Sequence, residues 1–252
     1  MKTKFSFTHW IVILLALSPL LYLAIIWNRI PEIVPVHYDI HFKPDKMGSK
    51  NNLWILSGVL SGTSILMYLL FINVRKFDPK LRKIPPSATF IRLATVITLF
   101  ITAMNYLFIS SINNNIRLLD RAIWPLMGLM FAFIGNYMNH IRPNYFAGLR
   151  LPWTLSSDYN WRKTHQFAGK LWFWGGLLAA VISLVVPTPI SIIAFFSIVT
   201  IMVFIPIIYS YRIFRDEFLV VHTDSVNPDR RLVSRLFVAS KIASRSEGGS
   251  EP

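Results

Sequence analysis

The chain has 252 residues, of which 54% are apolar and 15% charged, with a net charge of +14. A soluble domain carries roughly 25% charged residues, so this composition excludes a disordered chain and argues against a soluble globule. There is no cysteine, which excludes a disulfide framework, a thiolate metal site and a cysteine nucleophile.

A helix that crosses a bilayer needs about 20 mostly apolar residues. Six stretches come close, at 10–27, 53–74, 93–111, 122–138, 171–186 and 190–211, and none holds an Asp, Glu, Lys, Arg or His. Only helices satisfy every backbone group in lipid over such runs. The expected fold is therefore all-α, a polytopic integral membrane protein built as a six-helix bundle. Residues 1–121 hold three spans, 122–211 hold three more, and 212–252 form a basic tail. Lys2, Lys4 and the small-residue run Ala16-Leu17-Ser18 resemble a signal peptide. The apolar run continues past Pro19 to Trp27, so the expectation is an uncleaved first helix.

Lys and Arg bias sets orientation. The segments 1–9, 75–92, 139–170 and 212–226 together carry fifteen basic residues, and the alternate segments 28–52, 112–121 and 187–189 carry six. Both termini are expected inside, with the loop 28–52 outside. Trp10, Trp27, Trp54, Trp124, Trp172 and Trp174 fall near the proposed helix ends, as amphipathic rings do at the headgroup level.

The outer loop holds Pro31, Pro35, His37, Asp39, His41, Pro44 and Asp45. Prolines favour extended backbone before each of them, which predicts a stiffened surface or connector. The two histidines are not expected to bind metal, because the prolines disfavour the helix that would put them on one face and no glutamate follows His37 to complete a zinc-protease pattern. Gly48-Ser49-Lys50 lacks the upstream glycine of a phosphate-binding loop. No metal, cofactor or direct nucleic-acid contact is expected, and anionic lipid is the nearest partner for the basic loops.

Ionisable groups within a membrane mark ion or proton paths, and these spans have none. Asn105 and Asn136 are the strongest polar groups in them, and each is expected to hydrogen-bond a neighbouring helix. Small residues predict close helix contacts: Ser57, Gly58, Ser61 and Gly62 in the second span, Gly128, Ala132 and Gly135 in the fourth, Gly175 and Ala179 in the fifth. The fragment Gly62-Thr63-Ser64 has no histidine in any span to activate the serine.

The inner loop carries Ile141-Arg142-Pro143-Asn144-Tyr145-Phe146, then Gly148, Arg150 and Pro152-Trp153-Thr154-Leu155. Arginines among aromatics and prolines suit a folded surface at headgroup level. Ser156 or Ser157 is placed to cap a helix with Asp158 in its first turn. Trp161, His165, Ala168 and Trp172 share one face, which predicts a short amphipathic helix at the inner surface that runs into the fifth span. Downstream, Leu232, Val233, Leu236 and Phe237 with Arg231, Arg235 and Lys241 predict a second, basic amphipathic helix.

The run from Gly135-Asn136-Tyr137 through Arg142-Pro143-Asn144-Tyr145-Phe146, Gly148, Arg150, Pro152-Trp153-Thr154-Leu155-Ser156, Trp161 and Thr164-His165 to Gly169-Lys170 closely resembles the SdpI family of bacterial membrane proteins. The outer loop resembles the domain of unknown function that often precedes it, through Pro31, Pro35, His37, Asp45, Gly48 and Lys50. Val34 stands where isoleucine is usual and Phe42 where glycine is usual. The resemblance implies a non-enzymatic immunity protein of the bacterial cell membrane. It would resist a secreted membrane-active peptide toxin and hold a cytoplasmic transcriptional repressor at the membrane. In that reading the outer residues Pro31, Pro35, His37 and Asp45 face the toxin. Arg142, Pro143, Asn144, Tyr145, Phe146, Gly148, Arg150, Pro152, Trp153, Thr154, Trp161 and His165 face the regulator. Two alternatives stay open: a transporter or channel for a peptide or lipid, and a membrane enzyme using Arg142, Arg150, Asp158 and His165.

Overall fold

The computed structural model describes residues 6–39, 44–83, 88–112 and 116–226. The basic helix expected at 230–242 and the turn around His41 and Phe42 lie outside the described residues.

The long helices are α1 (Phe7–Ile26), α2 (Asn52–Ile72), α5 (Thr89–Ser111), α6 (Ile116–Met138), α8 (Asp158–Val185) and α9 (Thr188–Val226). Short helices α3 (Val74–Phe77) and α4 (Pro79–Arg82) follow α2, and α7 (Pro152–Ser156) precedes α8. Among the described residues, five helices are long and apolar enough to cross a membrane: α1, α2, α5, α8 and α9. The chain is a polytopic helical membrane protein. The remaining expected span, the fourth (122–138), corresponds to α6, which has the length, but its first turns include Arg117, Asp120 and Arg121.

Loop 28–52 is more ordered than a stiff connector. Strands β1 (Ile33–Tyr38) and β2 (Pro44–Ser49) pair antiparallel, with Val34 opposite Gly48 and Pro35 opposite Met47. A lone two-stranded hairpin is marginal in water. This one is anchored, because Val34 is fully buried in a cluster with Leu23, Ile30, Leu53 and Ile109. Lys50 pairs with Glu32 at 2.8 Å and lies 4.8 Å from the Trp27 ring centroid, and the Tyr38 hydroxyl reaches Ser111 Oγ at 3.3 Å.

Helices α1, α2 and α5 pack together, as do α6, α8 and α9, and α5 adjoins α6. Pro19 removes an N–H inside α1 and would leave the Leu15 carbonyl without its helical donor. Ser18 Oγ donates to Leu15 O at 2.7 Å, and Tyr106 of α5 donates to Ser18 Oγ at 2.9 Å, so the repair also joins two helices.

The tightest contact is α6 on α8. A Cβ on Gly128 would lie 2.6 Å from Ala180 N and 2.8 Å from Gly176 O, and one on Gly135 would lie 2.8 Å from Gly169 O. Backbone therefore meets backbone along Gly128, Ala132 and Gly135 on one side and Gly169, Gly176 and Ala180 on the other. In lipid, where apolar side chains gain little by leaving the solvent, such close approach is a principal source of helix association. Gly175 turns to α9, where an added Cβ would lie 2.6 Å from Met202 Sδ.

The second span differs from expectation. Nothing lies within 4 Å of a Cβ built on Gly58 or Gly62. The buried face of α2 carries Ser57, Ser61 and Ser64 instead. Asn105 is 1% exposed and donates to Ser57 O at 3.2 Å and Ser61 Oγ at 3.3 Å, as its polarity requires. Asn136 is exposed on α6, so the two asparagines form no pair.

Gly135→Val is expected to cost roughly 1–3 kcal/mol through overpacking, lowering the melting temperature of the detergent-solubilised protein followed by tryptophan fluorescence. Gly58→Ala and Gly62→Ala are expected to leave that melting temperature unchanged or slightly raised.

Candidate functional site: the loop knot between α6 and α8

The segment joining α6 to α8 is folded back on itself by side chain to backbone hydrogen bonds. Asn144 is fully buried. Its Nδ2 donates to Arg142 O at 2.8 Å and Ala147 O at 3.0 Å, and its Oδ1 accepts from the N–H groups of Phe146 and Ala147, both at 2.7 Å. All four capacities of the amide are used. Gly148 follows at φ +108°, a conformation that side chains with a Cβ rarely adopt, and a Cβ there would also strike His165 Nε2. Thr154 Oγ1 donates to Leu149 O at 2.7 Å and accepts from Leu151 N at 3.0 Å, which closes the turn before α7.

Helix α8 starts where its sequence predicts. Ser157 Oγ accepts from Asn160 N at 3.1 Å and Asp158 occupies the first turn. The helix then runs unbroken to Val185. Its stripe is not a lipid-facing or free docking face. Trp161 and His165 are 0% and 1% exposed and stack with ring centroids 4.0 Å apart. Trp161 Nε1 donates to Ile141 O at 2.8 Å. His165 Nδ1 lies 2.8 Å from Trp161 O, and Nε2 accepts from Leu149 N at 3.1 Å. The carbonyl requires the proton on Nδ1 and the N–H requires a bare Nε2, so the bonds fix one neutral tautomer. A ring with both nitrogens engaged is a brace for the loop.

Two other segments complete the knot. Asp78, fully buried, caps α4 by accepting from Lys80 N at 2.8 Å and Leu81 N at 3.2 Å. Its second oxygen accepts from Tyr145 N at 2.6 Å. Lys80 Nζ donates to Leu155 O at 2.6 Å and lies 5.2 Å from the Tyr145 ring centroid. From α9, Ser210 accepts Trp153 Nε1 at 3.0 Å and Asn160 Nδ2 on its carbonyl at 3.0 Å, and Glu217 accepts from Ser157 Oγ at 2.9 Å. Trp153 also stacks on Phe214. Beneath lies an apolar cluster of Val74, Leu81, Phe90, Leu93, Ile141 and Trp161.

The expected site residues thus divide. Asn144, Thr154, Trp161 and His165 are buried and build the knot, and Pro143 and Trp153 are half-buried. Arg142, Tyr145, Phe146, Gly148, Arg150 and Pro152 are exposed on it. Arg150 donates to Tyr145 O at 2.6 Å, which holds its guanidinium beside the exposed aromatics. Asp78, Lys80, Asn160, Ser210 and Glu217 complete the site beyond the residues expected of it. For Asp78 a signal exists in Asp78-Pro79, a capping residue before a proline suited to the first helical position. Its long-range bond to Tyr145 has no sequence signature.

At the opposite end of the bundle, His37 Nδ1 and Asp45 Oδ1 are 2.7 Å apart on the exposed hairpin. Pro31 and Pro35 flank the buried Val34. Among the described residues, no group of three His, Cys, Asp or Glu side chains is placed to hold a metal.

A helical bundle rich in lipid-compatible surface, with an anchored hairpin at one end and a hydrogen-bonded knot at the other, defines a multi-pass membrane protein. Residues 140–210, covering the loop between α6 and α8, α8 and α9 as far as Ser210, match the SdpI/YfhL protein family. Residues 14–60, spanning α1, the hairpin and the start of α2, match a domain of unknown function, DUF1648. The chain is 26% identical over 160 residues to the immunity protein SdpI of Bacillus subtilis (strain 168), an alignment covering 63% of this chain and 73% of that protein. The likeness to the SdpI family, and to the domain that precedes it, is therefore shown in two separate segments. No solved structure matches.

Asn144→Ala is expected to lose about 2–4 kcal/mol, since each hydrogen bond contributes about 1 kcal/mol net and buried groups are left unpaired. Limited trypsinolysis should then cut sooner after Arg150, the bond to Leu151 being the cleavable one in this loop. Gly148→Ala should do the same through backbone strain and the His165 clash.

Proposed function

We propose that this chain is a non-enzymatic immunity protein of the bacterial cell membrane, with the hairpin outside and the knot inside. The observation that carries the reading is the family match over 140–210, which falls on the hydrogen-bonded loop between α6 and α8. In this reading α6 also crosses, as the fourth of six spans. It runs antiparallel to α8 through the glycine contact, from the end where Asp120 accepts from Thr188 Oγ1 at 3.0 Å to the end where Ile141 accepts from Trp161. The excess of Lys and Arg on the knot end agrees with a cytoplasmic position.

The hairpin presents His37, Asp45 and the exposed Ile33, Val36 and Met47 to a membrane-active peptide. The knot presents Arg142, Tyr145, Phe146 and Arg150 to a cytoplasmic regulator such as a repressor. Signalling requires that the outer ligand bind two helix arrangements with different affinity. The transport reading, which six spans and a polar Asn105/Asn136 pair would allow, loses support because Asn136 is exposed on α6 and the two asparagines do not meet. The enzymatic reading loses support because His165 has both ring nitrogens engaged while Asp158 is exposed.

Expression in a sensitive bacterium is expected to restore growth in the presence of a secreted membrane-active peptide that arrests the parent strain. His37→Ala combined with Asp45→Ala should weaken that protection without lowering the amount of protein in the membrane. Failure to protect against any such peptide, with the protein present and folded, contradicts the proposal.

A further inference from the structure

The knot satisfies its buried polar atoms, whereas the contact between α2 and α5 does not. Ser57, Ser61 and Ser64 lie one turn apart on the buried face of α2, and Thr98, Thr102 and Asn105 on the buried face of α5. The two rows run antiparallel and in register. Asn105 Nδ2 donates to Ser57 O and Ser61 Oγ at one end, and Ser64 Oγ donates to Thr98 O at 3.4 Å at the other. Thr102 falls between them on α5. Within this row Ser57 Oγ, Thr98 Oγ1, Thr102 Oγ1 and Asn105 Oδ1 are buried without a protein partner. Their residues are 1%, 0%, 8% and 1% exposed.

An unpaired polar atom is costly in a dry interior, and four in one row at mid-span would be a severe burden. These atoms are neutral hydroxyls and one amide oxygen. The row has no carboxylate to offset a cation and no cationic side chain to offset an anion. A buried water makes about three hydrogen bonds to such groups. We propose that the α2/α5 seam is a water-binding site inside the membrane-spanning region, its waters bridging the two rows. Water-bridged contacts exchange partners more readily than the glycine contact of α6 and α8. The seam is thus the interface at which the N-terminal half can shift, independently of whether the chain confers immunity.

The test uses the full chain in lipid nanodiscs and has two readouts. Thr98→Val and Thr102→Val conserve shape and remove one hydroxyl each. If the hydroxyls hold water, each variant lowers the melting temperature by roughly 2–4 °C. Thr200→Val, whose exposed hydroxyl only bonds within its own helix, leaves it unchanged. Because the chain has no cysteine, Thr102→Cys and Ala94→Cys provide the second readout. Ala94 is also buried, 1% exposed against 8% at Thr102, and lies in an apolar cluster with Val12 and Tyr68. Cysteine at 102 should react with the small water-borne reagent methanethiosulfonate-ethylammonium at least about ten-fold faster than at 94, reactivity following access of water and thiolate character. A raised or unchanged melting temperature in the valine variants, or equal reactivity at 102 and 94, overturns the proposal.

Discussion

The contact on which the structure depends is the meeting of α6 and α8 at Gly128, Ala132 and Gly135 against Gly169, Gly176 and Ala180. With only glycines and alanines along the contact, the two backbones lie too close for a Cβ at the glycine positions. That contact sets the end of α6 beside the start of α8, and the chain between Met138 and Asp158 must then turn back within a short space. A reversal of that kind leaves backbone groups unpaired, which is unaffordable near lipid. Asn144, Thr154, Trp161 and His165 supply the missing partners. Asp78 and Ser210 then fasten the reversal to helices on either side.

The two halves of the molecule solve the same problem by different means. In the C-terminal half, glycine and alanine allow contact without polar atoms, and the polar groups are gathered at one end. In the N-terminal half, serine, threonine and asparagine fill the contact itself. Small size favours close packing in both, but hydroxyls bring a hydrogen-bonding demand that glycine does not. This difference gives the molecule a rigid pair and a more adjustable pair, joined where α5 meets α6. The hairpin rests on the adjustable half, through Val34 and Tyr38, and the knot draws on both through Asp78.

Helix positions were legible because lipid compatibility writes itself into long apolar runs, and the start of α8 was legible because Ser157 and Asp158 are local signals. The orientation of α2 was not. Ser57/Ser61 and Gly58/Gly62 are both small-residue pairs four apart, and only the partner helix decides which pair is buried. For the hairpin the sequence predicts only a stiffened surface or connector, since Pro35 and Pro44 weaken a strand pattern and the pairing relies on Val34 reaching a distant cluster. The stripe of Trp161 and His165 was recognised, but its covering came from residues 141 and 149 upstream in the same loop. The bond from Asp78 to Tyr145 spans 67 residues, and no local rule reaches so far.

Sidedness of the two ordered ends tests the central claim, that the glycine contact carries α6 across the membrane alongside α8. Between Met47 on the hairpin and Phe146 on the knot the chain passes through α2, α5 and α6. Three crossings place the two residues on opposite faces, whereas two would place them on the same face. Single-cysteine variants Met47→Cys and Phe146→Cys, treated in intact cells with a maleimide that cannot enter, measure this directly. The account predicts labelling at 47 in intact cells and at 146 only after the membrane is opened. Labelling of both in intact cells, or of neither until the membrane is opened, would contradict it.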